Sequence, residues 1–446
     1  MSTIYDYVIV GGGISGLAAL VRLKKEGKTA LLLERNESCG GFVRTKKVAD
    51  YLLEVGPNAF LPSYQHTWDL IEEVGLKSEV AYNRPTTSTR YIYKDQAIHP
   101  LPEGPFQFFK TPLLSLLAKL RLFCEPFISR GKEPEESVRS FGSRRFGREI
   151  CDMTLDPMIS GVCSGDIDKI DIHSLFPKLG SIEREYRSIL LFLIKFKKKQ
   201  IKKVGSEEKI NFASLNNGMG SLSEKIESSY PEDIITNSAV NKIELQDELY
   251  HVFTAEKEIK AKKLILATPA FESARLLKQA SPKLATLLAS IPYTDVGVMT
   301  IAFKQDKVKH PLNGFGFLIP SNQKRKILGA LFSSSLFENR APADQKLLKV
   351  YFGGVHRPEL LNLPDSEIEE IVTKELTPTL GISDQPIFTS ISKIKNAIPQ
   401  YNMGHRSKKE SIRAILNSSK SLFLASNYLD GISVNDAIKR GYYFDS

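Results

Sequence analysis

Cysteine is scarce in this chain, with four among 446 residues: Cys39, Cys124, Cys151 and Cys163. None forms a Cys-x-x-Cys pair, and the seven histidines form no His-Glu-x-x-His motif, so no structural metal site is expected. So few thiols in so long a chain suit a reducing compartment. No run approaches the roughly 18 consecutive apolar residues of a spanning helix. Met1 to Asp6 carry no basic leader with an apolar stretch behind it, so neither signal nor transit peptide is expected, and the location expected is cytoplasmic. There is no nucleic-acid fold motif and no basic run interleaved with aromatics, which argues against nucleic acid as a partner. Lys and Arg outnumber Asp and Glu, 61 to 51, a formal +10 that leaves anionic lipid or a carboxylate-bearing substrate open. With 42% hydrophobic and 25% charged residues the composition is globular, and the length calls for two or three domains.

The first 45 residues are the most informative. Tyr7-Val8-Ile9-Val10 reads as a buried strand, followed by Gly11-Gly12-Gly13-Ile14-Ser15-Gly16. A helical pattern runs through Leu17, Leu20, Val21 and Lys24 to a stop at Gly27, and Thr29 to Leu33 is a second strand closed by Glu34. This is a complete dinucleotide fingerprint. Gly11 makes the turn, Gly13 admits a pyrophosphate, Gly16 lets helix and strand pack closely, and the helix N-terminus faces the phosphates. Glu34 stands where a carboxylate accepts from a ribose hydroxyl. Gly27-Lys28-Thr29 is not a phosphate loop, because Arg22 occupies the position where that motif needs glycine.

The fingerprint alone does not separate NAD from FAD. A second glycine doublet, in Ser38-Cys39-Gly40-Gly41-Phe42-Val43-Arg44-Thr45, permits another close backbone approach to the same cofactor, and Arg44 suits either a phosphate or a surface ion pair. Glu54-Val55-Gly56-Pro57-Asn58 is a rigid turn. Lys262 to Ala267 reads as a strand, and Thr236 to Phe253 alternates like a hairpin. Near the far end, Ser421 to Ala425 reads as a strand. Gly431 then turns the chain into a helix from Val434 to Arg440, with Gly441 past its end. Its N-terminus would favour the negative charge of a reduced flavin, although a plain capping helix fits the local pattern equally.

The middle is helical and basic. Thr111-Pro112 has the character of a helix start, and Leu113, Leu116, Leu117, Leu120, Phe123, Cys124 and Phe127 form one apolar stripe widened by Leu114 and Leu122. An ordinary core face is the reading expected from the pattern; a surface lying on a membrane or a substrate portal is the alternative. Lys195, Lys197, Lys198, Lys199, Lys202 and Lys203 form a cluster, either a solvated loop or a site for anionic lipid.

Taken together, these residues resemble the flavin-dependent protoporphyrinogen oxidases of haem biosynthesis, within the flavin amine oxidase group. The more specific stretches are Arg90-Tyr91-Ile92-Tyr93 with Leu101-Pro102, and Gly131 to Val138 with Arg144-Arg145-Phe146-Gly147. Phe176-Pro177 with Arg187 to Leu190 is a third, and Ile398-Pro399-Gln400-Tyr401 with Gly404-His405 and Gly431 to Asp436 a fourth. The resemblance implies FAD contacts at Gly11, Gly12, Gly13, Ile14, Ser15, Gly16, Glu34, Gly41, Phe42, Gly56, Pro57, Asn58, Ala59, Val240, Ile398, Ile432, Ser433 and Val434. It implies substrate contacts at Arg90, for a propionate, and at Leu318, Leu331 and Phe352, which would sandwich a tetrapyrrole. From the residues alone, Arg90 reads as an ion-pair partner and the other three as core. Family members often carry another aromatic at Phe42 and a cysteine at Ala437.

The implied architecture is α/β (α+β overall), with a Rossmann-like FAD-binding domain at 1–84, 205–270 and 396–446. A mixed-sheet substrate domain would occupy 85–105, 173–204 and 271–395, and a helical membrane-binding or portal insertion 106–172. The implied activity is oxygen-dependent six-electron oxidation of protoporphyrinogen IX to protoporphyrin IX, with hydride transfer to a non-covalent FAD and release of hydrogen peroxide. Coproporphyrinogen III oxidation, another flavin desaturase or amine oxidase, and a prenyl-protein escort-type binding protein are the alternatives. His99, His173 and His405 are isolated, and no catalytic acid or base is assigned. The implied partners are a porphyrinogen, an anionic membrane surface bound peripherally, a second copy of the chain and ferrochelatase.

Overall fold

A computed structural model describes residues 3–131, 133–201 and 212–445. Two compact units divide the chain: Met1–Tyr82, Asn211–Pro292 and Arg406–Ser446 form the first, and Asn83–Ile210 with Tyr293–His405 the second. The helical segment 106–172 belongs to the second.

In the first unit, five strands run parallel in the order Ile234–Ile235, Ala30–Leu33, Ile4–Val10, Glu258–Leu266 and Leu422–Leu424. A hairpin, Lys242–Gln246 and Leu249–Phe253, pairs antiparallel with the first half of Glu258–Leu266. The central strands are continuous apolar runs because both faces are covered. Val8, Ile9, Leu264 and Ile265 are all fully buried. Helix Ile14–Lys25 follows the first strand and buries Leu17, Leu20 and Val21. It packs at a distance only glycine allows, since a Cβ on Gly16 would lie 2.0 Å from the Gly11 carbonyl oxygen. The C-terminal helix, Val434–Tyr442, starts at a capping box between Ser433 and Asp436. Gly441 lies inside this helix, not past its end, because it packs on the Ser15 carbonyl, where a Cβ would clash at 2.0 Å.

The second unit is built on a seven-stranded mixed sheet, ordered Phe388–Pro399, Tyr293–Lys304, Gln345–Gly353, Ile327–Leu331, Gly316–Leu318, Arg90–Lys94 and Ala97–Pro100. One face packs under helix Asp365–Leu380 through Ile368, Val372, Leu376 and Leu380, spaced by one helical turn. Over the other face, Leu113, Leu114, Ala118, Ile150 and Met153 gather around Ile92 and Leu318.

The helical segment departs from its sequence reading in two ways. Thr111-Pro112 does not start a helix: Thr111 ends helix Pro105–Lys110, and helix Leu116–Leu122 begins at Ser115, whose hydroxyl accepts from Ala118 N at 3.2 Å. The stripe is also not a core face. Leu113 and Leu114 are buried, but Leu116, Leu117, Leu120, Phe123 and Phe127 are exposed, Phe127 at 87%. The reason lies beneath. Arg145, fully buried, bridges Glu183 at 2.5 Å and Glu125 at 3.4 Å, and Arg144 joins Glu183 at 2.8 Å and Glu136 at 2.6 Å. The Glu125 carboxylate also accepts from Ser188 Oγ and from Ile189 N, capping helix Ile189–Ile201. Charge occupies the interior of these helices, so much of their apolar surface turns outward. Lys195 is exposed; the side chains of Lys197, Lys198 and Lys199 lie outside the described residues, as do Lys132, Lys202 and Lys203. Among the described residues, no helix is long and apolar enough to cross a membrane.

Burial alone would push the Glu183 carboxyl up, but the Arg144 and Arg145 guanidiniums outweigh it and hold it below the usual range. Its contribution to stability is therefore present above the ordinary carboxylate pKa and lost as pH falls through the depressed value. Arg145→Met leaves buried Glu125 without a guanidinium and Glu183 with Arg144 alone, and should cost about 3–5 kcal/mol at neutral pH. Urea unfolding followed by circular dichroism measures this. The deficit should shrink in acid, where protonated carboxyls no longer need the guanidinium. A loss of under about 1 kcal/mol at pH 7 would contradict the reading.

Candidate functional site

The fingerprint turn is held by its neighbour strand. Glu34, 7% exposed, accepts from Gly12 N at 2.6 Å through Oε2. Its Oε1 accepts from Asn36 N at 2.9 Å and Asn36 Nδ2 at 2.5 Å. A carboxylate offers about four acceptor positions, so roughly one remains for a ribose hydroxyl. Segment 237–240, leading to buried Val240, runs beside this strand end through Ser238 N to the Glu34 carbonyl and Asn237 N to the Asn36 carbonyl.

The second glycine loop locks onto the first. Gly40 N donates to the Gly12 carbonyl at 2.7 Å, and Gly13 bridges Gly40. Glu227, on helix Gly220–Ser229, accepts from Cys39 N at 3.0 Å. Gly56 lies against the Phe42 backbone, where a Cβ would stand 2.5 Å from the carbonyl oxygen. Phe42 itself is 44% exposed. The first unit thus gathers Gly11 to Gly16, Glu34, Gly41, Phe42, Gly56 and Val240 on directly linked segments. Ile432, Ser433 and Val434 begin the C-terminal helix of the same unit, while Ile398 stands in the second unit, paired with Thr294.

Two observations fit this cradle to a dinucleotide. A Cβ on Gly13 would meet nothing within 4 Å, so no protein packing demands glycine there. Gly13 also has φ −66 and ψ 169, an ordinary extended conformation open to every residue. Backbone conformation therefore does not call for glycine here, and space for a ligand accounts for it. In addition, the Arg44 Nε is buried with no hydrogen-bond partner among the described residues. It offers a donor to a phosphate oxygen.

In the second unit, strand register sorts the substrate candidates. Gly316 pairs with Arg90 and with Leu331, and Leu318 pairs with Ile92 and with Gly329. Directly paired residues share a face, so Arg90, Leu318 and Leu331 stand on one side of the sheet. Arg90 is exposed, its guanidinium 5.9 Å from the Phe315 ring. Leu318 also touches helix Asp156–Cys163, since a Cβ on Gly161 would fall 2.3 Å from its Cδ2. Phe352 is on the opposite face. It pairs with Ile327, is 1% exposed, and packs with Phe317, Leu348 and Val350 under the helix. Its neighbour Tyr351, paired with Gly329, takes the side of Leu318. Phe352 therefore does not share the face of Arg90, Leu318 and Leu331, whereas Tyr351 does. Of the histidines, His405 is buried and stacked on Tyr401 at 4.2 Å, His173 is 6.5 Å from the Phe141 ring, and His99 pairs with Ile92 in the sheet.

Gly13→Val should leave the apoprotein folded, with an unchanged melting temperature, yet abolish cofactor binding because its branched side chain fills the open cradle. Calorimetry of the apoprotein and cofactor titration check the two halves. Retained binding would misplace the cofactor, and a collapsed apoprotein would show that protein packing requires the glycine.

Comparison with known proteins bears on the whole chain. The mitochondrial protoporphyrinogen oxidase of Nicotiana tabacum is 29% identical over 97% of this chain and 92% of its own length. The coproporphyrinogen III oxidase of Bacillus subtilis (strain 168) is 26% identical over 97% and 96%. A solved structure from Exiguobacterium sp. 255-15, named as a candidate protoporphyrinogen oxidase, shares the fold with a TM-score of 0.83 at 23% identity, covering 99% of this chain and 98% of that one. The family model described as flavin containing amine oxidoreductase matches residues 14–443. That match takes in segments of both units, and the chain belongs to the flavin containing amine oxidoreductase family.

Proposed function

We propose that this flavin enzyme is an oxygen-dependent oxidase of a porphyrinogen, with protoporphyrinogen IX as its substrate and FAD held non-covalently. The observation that carries the substrate is the shared sheet face of Arg90, Leu318 and Leu331. A porphyrinogen is a broad apolar disc with carboxylates at its rim. A floor of half-buried Leu318 and Leu331, its Leu318 end packed against the helical segment, beside an exposed guanidinium is complementary to it. Gly316 and Gly329 stand between those side chains and keep the floor flat; close strand approach forbids side chains there, with Cβ atoms falling 2.2 and 2.3 Å from facing carbonyls. Tyr351 adds an aromatic surface to this face.

When bound, FAD would supply the acceptor for a hydride from the substrate's methylene bridge, with molecular oxygen as the final acceptor. The chain's own residues bind and orient. The glycine loops with Arg44 would receive the pyrophosphate and Glu34 the ribose, and the start of helix Val434–Tyr442 would offer its positive dipole end to negative charge. Non-covalent binding is supported by the burial of three of the four thiols. Burial pushes Cys39 and Cys163 up to about 12 and Cys151 to about 11, so none is a thiolate nucleophile at neutral pH.

Purified protein given protoporphyrinogen IX or coproporphyrinogen III should release porphyrin fluorescence and hydrogen peroxide, faster from the first. Faster turnover of the second would make the chain a coproporphyrinogen oxidase; turnover of neither removes the porphyrinogen reading. Arg90→Ala should raise KM more than it lowers kcat, because a propionate contact acts equally in ground and transition states. An unchanged KM would leave Arg90 a structural residue.

We also propose peripheral attachment to anionic membranes. Phe106, Leu116, Leu117 and Phe127 are each at least two-thirds exposed, with Phe109, Leu120, Phe123, Leu191 and Leu193 half exposed in the same unit. So much outward apolar surface on one helical segment is what a lipid-facing region presents. Lys110 and Lys195 lie among these residues, and their attraction to anionic lipid is screened by salt. The protein should float with anionic vesicles, less in high salt than in low, and Leu117→Glu with Phe127→Glu should abolish flotation. Absence from vesicles at both salt levels would overturn the proposal. Homodimerisation and contact with ferrochelatase rest on the family resemblance alone.

A further inference from the structure

Leu61 and Asn435 are 374 positions apart in the chain and meet through a complete set of hydrogen bonds. The Asn435 Oδ1 accepts from Leu61 N at 2.9 Å, and its Nδ2 donates to the Leu61 carbonyl at 3.0 Å. The same Nδ2 donates to Thr67 Oγ1 at 2.8 Å, and the Asn435 carbonyl lies 2.8 Å from His66 Nε2. Asn435 is 1% exposed, and Thr67 is fully buried. The carboxamide therefore treats Leu61 as a neighbouring strand would, taking both its backbone groups at once. Leu61 ends the turn carrying Gly56, Pro57, Asn58 and Ala59. Asn435 is the second residue of helix Val434–Tyr442, next to Ser433 and Val434. One buried side chain thus sets the spacing of two segments assigned above to the cofactor. A second anchor holds the approach to the same helix: Asp430 receives Lys409 and Arg413, each at 2.9 Å, and also Arg440.

We infer that Asn435 is a positioning residue for the flavin, one that fixes how closely the helix N-terminus approaches it. This rests on the flavin reading above. The field of a helix end falls off within about one turn. A small retreat of the N-terminus would therefore weaken flavin binding and, more specifically, withdraw stabilisation from the negatively charged reduced form. An asparagine that only satisfied buried backbone groups would change stability but not the flavin's potential.

The test uses Asn435→Ala and the milder Thr67→Val, which removes one hydrogen bond at nearly constant volume. Three quantities are compared with the parent: the dissociation constant for FAD, the midpoint potential of the bound flavin, and the melting temperature of the apoprotein. Asn435→Ala should weaken FAD binding about tenfold or more and lower the potential, with Thr67→Val shifting both in the same direction by less. If both variants keep FAD affinity within about twofold and leave the potential unmoved while the apoprotein melts earlier, Asn435 is an ordinary core amide and the inference falls. Should Asn435→Ala fail to fold, Thr67→Val decides alone by the same criterion. A parent protein that binds no FAD would instead remove the flavin reading, and this assignment with it.

Discussion

The bond from Gly12 N to the Glu34 carboxylate organises the first unit. A strand–turn–helix presents free backbone donors at its turn, and an unsatisfied buried N–H is costly. Glu34 takes one of them and so ties the first strand's turn to the end of the second. Its other oxygen holds Asn36, whose carbonyl receives segment 237–240. The Gly12 carbonyl, facing the other way, receives Gly40 and fixes the second loop. Each link uses backbone groups that any sequence possesses, but the glycines are what let them come close enough. The cradle is thus a backbone construction stiffened by a few acids, the buried Glu34 and Glu54 and the half-buried Glu227 among them.

Where the sequence was legible, the information was local. Strand, turn, helix and second strand follow one another within 35 residues, and the period of the apolar positions gave each element to within a few residues at its ends. The helix at Leu116 was placed too early because Thr111-Pro112 carries a starting signal. That signal lost to Ser115, which has a hydroxyl in reach of Ala118 N and the Glu149 carboxylate holding it from the other side. Phe352 was assigned by its motif, while the face it occupies is decided by register with Ile327. Register is a long-range property that no single strand displays. Asn435, within the Gly431 to Asp436 stretch, shows no role in sequence for the same reason: its partners lie some 370 positions away, and a polar residue at the second position of a helix looks unremarkable.

The apolar stripe raises a different point. Its spacing is that of a core helix, and nothing in the spacing distinguishes a face turned inward from one turned outward. The distinction came from residues elsewhere, the pair Arg144-Arg145 and the glutamates Glu125, Glu136 and Glu183. A buried ionic cluster of this kind is a poor source of stability compared with apolar packing of the same volume, so stability alone does not explain it. It specifies an arrangement. With charge committed to the interior, inverting the helices to hide Leu117 and Phe127 would leave guanidiniums and carboxylates without partners.

Gly13 and the sheet glycines Gly316 and Gly329 are therefore required for opposite reasons, and this bears on how each position tolerates change. At Gly13 the backbone is relaxed and the surrounding protein leaves space, so the residue answers to a ligand; at Gly316 and Gly329 the facing carbonyls leave none, and the residue answers to the sheet. A side chain introduced at Gly13 leaves the fold intact and removes the cofactor. One introduced at Gly316 or Gly329 pushes strands apart, and with them the register that keeps Arg90, Leu318, Leu331 and Tyr351 on a single face. Loss of activity at the first position would thus report on chemistry, while the same loss at the other two would report on architecture. Only comparing cofactor content with strand integrity separates the two causes.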